Sequence, residues 1–383
     1  MGASLLEERH LTLAARMQQE AQVFEPRPGA AEDFSQLAKA LAQIGCFRHL
    51  IPKAYGGQAD PVEVRSLCAI REELAYRSAA ADSIFAVHGL GTYPLLLGAD
   101  EELRRSLLPS AAEGSAIFAF ALTEPEAGSD VSAISCSARR SGDFYLLNGV
   151  KRFISNAGIA SHYTLFARTA EGSKGLSTFV VPAGSAGLRV LPQRLLGEHP
   201  IGELVLDNCR IDASLRVGTE GNGMKMAFAT LDVFRSSVGA AAVGMARRAL
   251  DEAVAYAQKR RQFGGPLGAL QGVQFLLAES AAEIDAARML VHKAAAKKDE
   301  GAARITYEAA VAKLFASEAA HRAIDRCLQI HGANGLIHGS PTERLYRDIR
   351  ALRIYEGASE VLKVVIARQL LSQTGSTSDL PHR

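Results

Sequence analysis

The sequence predicts a mostly α-helical protein with a central β domain. The expected parts are an N-terminal helical domain over residues 1–115, a small barrel or sandwich over 116–215, a helical bundle over 216–373 and a flexible tail over 374–383. Three observations carry this. Apolar residues recur every three or four positions in the first third, as at Phe34, Leu37, Leu41 and Ile44. Near residue 116 the pattern changes to short aromatic and β-branched runs separated by turn signals. After Gly221 helical spacing returns in long Ala-rich pieces.

Taken in order, Asp33–Ile44 reads as a helix, and Ile51–Gly57, with a Pro and a Gly pair, as a loop. Asp60-Pro61 is expected to open the next helix, with Pro61 in its first turn, running through Leu67, Ile70 and Leu74. Ser78–Gly91 is a small-residue segment suited to close helix packing. Asp100–Leu108 reads as a short capped helix ended by Pro109. Candidate strands are Ile117–Leu122, Phe144–Leu147, Tyr163–Phe166, Ser177–Val181 and Glu203–Leu206, the last closing the series. Four long helices are expected beyond it: Gly221–Arg261, one through Leu270, Val273, Leu277, Ile284 and Val291, one from about Ala302 to Ile330, and Ser359–Gln373. Short connections favour an antiparallel four-helix bundle.

Composition narrows function. The chain has 383 residues, 48% hydrophobic and 22% charged, with a formal charge of +2. That balance gives no electrostatic ground for nucleic acid or an anionic membrane as partner. Sparse aromatics and the absence of Trp argue against a base-stacking platform. The cysteines, Cys46, Cys68, Cys136, Cys209 and Cys327, are scattered and never form a C-x-x-C pair, so neither a disulfide framework nor a zinc site is indicated. His331 and His338 are seven apart across glycines, and no metal is expected. Met1–Glu20 carries Glu7, Glu8 and Glu20 and no long apolar run, so no signal peptide or membrane span is expected. The cytoplasm is the expected compartment, or the mitochondrial matrix if the chain is a mature form. No G-x-G-x-x-G follows a strand and no P-loop occurs, so neither nucleotide motif is indicated.

The stretch Arg347–Glu360 holds the candidate chemistry. Glu356 lies beside apolar Ile354 and Tyr355 and before Gly357. Desolvation on such a shoulder raises a carboxylate's proton affinity, which suits a general base; the competing reading is a surface Glu at a helix start.

Five blocks together resemble the acyl-CoA dehydrogenase family. Phe120-Ala-Leu-Thr-Glu-Pro-Glu-Ala-Gly-Ser-Asp130 resembles its signature, and Lys151-Arg-Phe-Ile-Ser-Asn-Ala157 its second flavin-contacting stretch. Arg260-Arg-Gln-Phe-Gly264 and Gln329-Ile-His-Gly-Ala-Asn-Gly335 resemble its R-x-x-F-G and Q-x-x-G-x-x-G segments, and Arg347–Glu360 its closing catalytic segment. The blocks fall in family order over residues 30–372.

The resemblance implies a helical domain, a β-barrel and a four-helix bundle, with FAD as cofactor. It implies flavin contacts at Phe120, Leu122, Thr123, Gly128, Ser129, Phe153, Ile154 and Ser155. Thr123 would sit at the pyrimidine end and Ser155 near N5, and donors there would favour reduced flavin. Phe153 stands where many relatives have Trp. Arg260, Phe263, Gln329 and Gly332 would reach the adenine-diphosphate half of FAD from a neighbouring subunit, with Ala333, Ala358 and Glu360 in the same cofactor-facing stretches. Ala333 replaces a frequent Gly and Ala358 a frequent Thr. Substrate contacts are implied at Ser129, Asp232, Phe234, Arg235, Tyr355 and Gly357. Some relatives carry the base just before the Arg of D-x-x-R; here Phe234 occupies that place, leaving Glu356. The implied reaction is α,β-dehydrogenation of an acyl-CoA: Glu356 takes the α-proton, the β-hydrogen passes to flavin N5, and an electron-transfer flavoprotein accepts the electrons. A homotetramer is the family's usual state. Alternatives on the same fold are an acyl-carrier-protein-linked dehydrogenase, an enoyl-thioester reductase, a flavin monooxygenase or nitroalkane oxidase, and a non-catalytic or nucleic-acid-associated relative.

Overall fold

Five helices fill the first third of the computed structural model, which describes residues 5–26, 32–58, 60–172 and 174–373; the expected flexible tail lies outside them. They are α1 Glu8–Glu20, α2 Phe34–Gln43, α3 Val64–Arg77, α4 Ala79–Gly98 and α5 Glu101–Glu113. Asp33 caps α2 by accepting from the Ser35 and Gln36 amides. Pro61 does not start α3. The helix begins at Val64 because Asp299, far along the chain, accepts from the Val64 and Arg65 amides at 2.7 and 3.0 Å. Most of the small-residue segment belongs to α4, capped by Ser78. Pro109 does not end α5. The helix continues to Glu113 and stops at Gly114, whose φ is +74°. Burial of Leu108, Ala111 and Ala112 offsets the roughly 3 kcal/mol cost of an internal proline.

The β domain is one eight-stranded sheet of β1 Phe118–Ala121, β2 Ser137–Ser141, β3 Phe144–Ser155, β4 His162–Arg168, β5 Leu176–Pro182, β6 Leu188–Pro192, β7 Ile201–Asp212 and β8 Arg216–Val217. The order is β6-β7-β3-β2-β4-β5-β8, with β1 parallel to β4. β3 is longer than expected and carries Lys151–Ser155, with register shifts against β7 at Leu147/Gly149 and Lys151/Ile154. β7 runs past Leu206 and β8 follows it, so Glu203–Leu206 is not the end of the series.

The C-terminal part contains α6 Gly223–Lys259, a hairpin of β9 Arg261–Gln262 and β10 Gly265–Pro266, α7 Gln271–Asp299, α8 Thr306–His331, α9 Pro341–Leu352 and α10 Ser359–Gln373. The third long helix starts at Thr306, later than expected, and α9 has no counterpart in the sequence reading. α6 is the central strut. By length and composition it could cross a membrane, but 78% of its apolar window is buried inside the fold. It packs on α7 and α8 on one side and on α3 and α4 on the other. At Gly244 a Cβ would lie 2.1 Å from the Glu72 carbonyl oxygen, so the α3–α6 approach requires glycine.

Candidate active site

Glu356 sits in the turn between α9 and α10 with φ +50°, followed by Gly357 at φ +101°. A non-glycine residue there costs about 1–3 kcal/mol and persists only where its surroundings enforce it. Three side chains of the bundle do so. Arg235 of α6 donates from Nε to the Glu356 carbonyl at 3.1 Å. Lys313 of α8 donates from Nζ to the Gly357 carbonyl at 2.6 Å. Glu318 of α8 accepts from Ser359 Oγ at 2.6 Å and from Arg353 Nε at 2.8 Å. Gly357 is needed for its φ and for room, since a Cβ would meet Leu362 at 3.0 Å.

Glu356 Oε2 is sealed from solvent and has no hydrogen-bond partner among the described residues. Its backbone N–H likewise has no acceptor there. Burial raises the proton affinity of the carboxyl above the ordinary range, while Arg71, Arg235 and Lys313 pull it back. Asp232 and Arg235 share a helix face, as expected, at 3.3 Å, and Thr306 donates to Asp232 at 2.7 Å. Phe234 points the other way. Its ring is buried, packs edge-on to Tyr93 with centroids 5.9 Å apart, and occupies the space a Cβ at Gly89 would need. Tyr355 is partly exposed beside Glu356.

The sheet brings the first two sequence blocks together. The Arg152 amide donates to the Thr123 carbonyl at 2.9 Å. Lys151 Nζ donates to the Leu122 carbonyl at 3.0 Å and to Glu124 Oε1 at 2.8 Å. Glu124 also accepts from the Ser135 amide and hydroxyl and from the Cys136 amide. Burial works to raise the Glu124 pKa, but Lys151 and these donors hold it below the usual range. The pair fixes Leu122–Thr123 from behind. Phe120 packs edge-on to Phe166, and Ile154 is buried in β3. Phe153 has φ +57° and a ring 48% exposed, covered on one side by Arg152. Gly128 faces open space, and Ser129 is exposed.

Of the remaining nominated residues, Ala358 and Glu360 follow the Glu356 turn, and the others lie at the far end of the bundle. Arg260 follows α6, and Phe263, at φ +51°, is 91% exposed. Gln329, Gly332 and Ala333 are exposed at the end of α8, and Ala358 and Glu360 flank the start of α10. Tyr256 stacks on His331, and Asn334 donates to the Tyr256 hydroxyl at 2.8 Å. This joins the ends of α6 and α8 around a cleft of about 470 Å³ that includes Arg260, His331 and Asn334 but not Gln329 or Gly332. Glu356 and Phe263 therefore belong to separate regions of the molecule. Of the five non-glycine residues with positive φ among the described residues, Phe153, Phe263 and Glu356 are sequence-nominated.

Sequence reasoning missed the supporting set: Arg71, Glu124, Lys151, Lys313 and Glu318. One signal existed. Position 313 falls on the same helical face as Ala309, Ala316 and Ser317, all buried, so a lysine there interrupts an apolar stripe.

The residues present suit FAD. Among the described residues neither the Thr123 nor the Ser155 hydroxyl has a hydrogen-bond partner. With the exposed Phe153 ring they offer polar groups and an aromatic face to a planar, hydrogen-bonding ring. The comparisons agree. The N-terminal, middle and C-terminal domains of acyl-CoA dehydrogenase match residues 6–115, 119–209 and 221–371. A probable acyl-CoA dehydrogenase of Mycobacterium bovis is 41% identical over 327 residues, 84% of this chain and 83% of the relative. A 3-(aryl)acrylate reductase of Clostridium sporogenes is 40% identical over 348 residues, 89% and 91% of the two chains. A solved chain from work on the electron transferring flavoprotein of Acidaminococcus fermentans superposes with a TM-score of 0.92 at 34% identity, over 97% of this chain and all of that one. By these matches across nearly its whole length, the chain belongs to the acyl-CoA dehydrogenase family of FAD-binding oxidoreductases.

Proposed function

We propose that the enzyme oxidises the α–β bond of an acyl-CoA to the trans-2-enoyl-CoA, with Glu356 as base and an electron-transfer flavoprotein as electron acceptor. The carrying observation is the sealed, unpartnered Oε2 of Glu356 in an enforced left-handed turn. Bound FAD supplies the two-electron oxidant. Glu356 takes the α-proton, and its unpaired N–H is available to the thioester carbonyl, stabilising the charge that develops there. Arg235 and Lys313 hold that turn still, so little reorganisation is needed during proton transfer. Asp232, Arg235, Tyr355 and Gly357 border the thioester arm, and Ser129 lies on the flavin side of it. Thr123 of the Phe120–Asp130 stretch and Phe153 and Ser155 of β3 would hold the flavin ring. Arg260, Phe263, Gln329 and Gly332 contact FAD of a neighbouring subunit, in a homotetramer in the cytoplasm. The buried Phe234 ring between α4 and α6 favours a short, branched or cyclic acyl group.

The reductive direction is the second reading, favoured by the likeness to the Clostridium reductase. An anaerobic titration separates them. Bleaching of bound flavin by one class of saturated acyl-CoA, with turnover only when electron-transfer flavoprotein is added, is the expected result. Reoxidation of pre-reduced flavin by enoyl- or arylacrylyl thioesters, with no bleaching by saturated ones, would reverse the assignment. Bleaching by carrier-protein thioesters alone would change the carrier.

A further inference from the structure

We propose that Lys313 is a positioning residue for the base: its ammonium ties down the Gly357 carbonyl and is the buried positive charge that ionised Glu356 balances. This rests on the proposed role of Glu356. Three cations surround that carboxylate: Arg71 from α3, Arg235 from α6 and Lys313 from α8. Two of them already have partners. Arg71 is clamped bidentately by Asp82 of α4 at 2.8 Å and donates to Ser237. Arg235 pairs with Asp232. Lys313 is fully buried, and among the described residues no carboxylate lies within 4.0 Å of its Nζ.

A buried ammonium held only by a carbonyl dipole is costly to keep charged. Burial accordingly pushes Lys313 down to about 8, against the pull of Glu356, Glu318 and Glu360, while Arg235 adds to the downward push. On the other side, the negative charge of Asp82 adds to the proton affinity of Glu356. An ionised Glu356 therefore relieves Lys313, and Lys313 draws the proton affinity of Glu356 down against the effect of its burial. The 2.6 Å bond to the next residue's carbonyl makes this coupling local. Once Glu356 holds the substrate proton, Lys313 loses its balancing charge, which favours release of that proton before the next cycle.

The test follows the carboxyl by infrared difference titration of the flavin-loaded enzyme, with the Glu356 C=O band assigned by its loss in Glu356→Gln. In Lys313→Gln and Lys313→Met the titration midpoint is expected to rise by about one pH unit, and in Lys313→Arg to return towards wild type. A purely structural role would lower stability or flavin content without moving the midpoint, and unmoved midpoints in both neutral variants overturn the proposal. A reciprocal measurement leaves Lys313 in place. In Glu356→Gln labelled with 13C at lysine Cε, the Lys313 midpoint must fall by a similar amount, and no change there also overturns it. Neither readout needs turnover, so an enzyme that oxidises no acyl-CoA would refute the proposed function and leave this coupling to be judged separately.

Discussion

The turn at Arg353–Glu360 and the hairpin at Arg260–Pro266 both carry strained, sequence-nominated residues, yet they are built in opposite ways. The turn is held from within the protomer by Arg235, Lys313 and Glu318, and its carboxylate oxygen is shut off from water. The hairpin projects outward, with Phe263 almost wholly exposed at φ +51°. Internal contacts explain the first strain; with Phe263 91% exposed, packing among the described residues does not explain the second. The Glu356 turn is thus fixed by contacts within one chain, whereas the hairpin is not.

Four experiments break or sharpen that contrast. Glu356→Gln should slow flavin reduction by about 10³-fold while leaving the bound-flavin spectrum in place, because the turn is held by backbone contacts that Gln preserves. Stopped-flow absorbance measures it, and near-normal reduction would remove Glu356 from the reaction. Lys151→Met strands Glu124 in the interior and should cost about 3 kcal/mol, read as a drop in urea midpoint with a matching loss of flavin; the internal side of the contrast weakens if stability is unchanged. Arg260→Ala and Phe263→Ala should leave unfolding of the polypeptide within about 0.5 kcal/mol of wild type but lower the FAD-to-protein ratio after gel filtration. Full flavin retention in both would mean that the hairpin serves another purpose.

The smallest effect concerns pH. The native Glu356 carboxyl binds its proton more tightly than the ordinary value of 4.5 implies. Its contribution to stability is therefore fully present below about 4.5 and is lost as pH rises through the native value. Glu356→Gln escapes that loss, so its melting temperature should gain on wild type as pH increases. Calorimetry at several pH values checks the sign, and a constant difference would mean that Glu356 is not perturbed. The same raised affinity predicts an acid limb in kcat/KM above the usual carboxylate range.

Much of the fold was legible because helices and strands advertise themselves through period. The apolar spacing of α2 and α7 and the turn signals around β3–β5 translate directly into observed elements. The failures have physical causes. Pro61 and Pro109 were read locally, but a remote carboxylate, Asp299, sets the start of α3, and tertiary burial carries α5 through its proline. α9 is short, highly charged and sits between two glycine-containing turns, so its apolar positions Leu345, Ile349 and Leu352 are few. Most of the nominated residues lie in dense local blocks. Lys151, which lies inside a quoted block, Lys313 and Arg71 are charges whose burial depends on distant chain, and a charge in sequence reads as solvated surface.

The close seating of α3 against α6 bears on how the molecule is made. Nearly all of α3 is buried, from Val64 to Ala75, including Arg71, Glu72 and Glu73. Its charges are answered by Ser237 and Arg247 of α6 and Arg288 of α7. While the ribosome is still translating the sheet, Glu72 and Glu73 lack these partners and Arg71 is met only by Asp82 of α4. The N-terminal helices must wait, with an uncovered mixed polar and apolar face, for at least another hundred residues of chain. A nascent polypeptide arrested before α6 should accordingly be protease-sensitive and attractive to chaperones, and should become resistant only after α6 and α7 have cleared the exit tunnel.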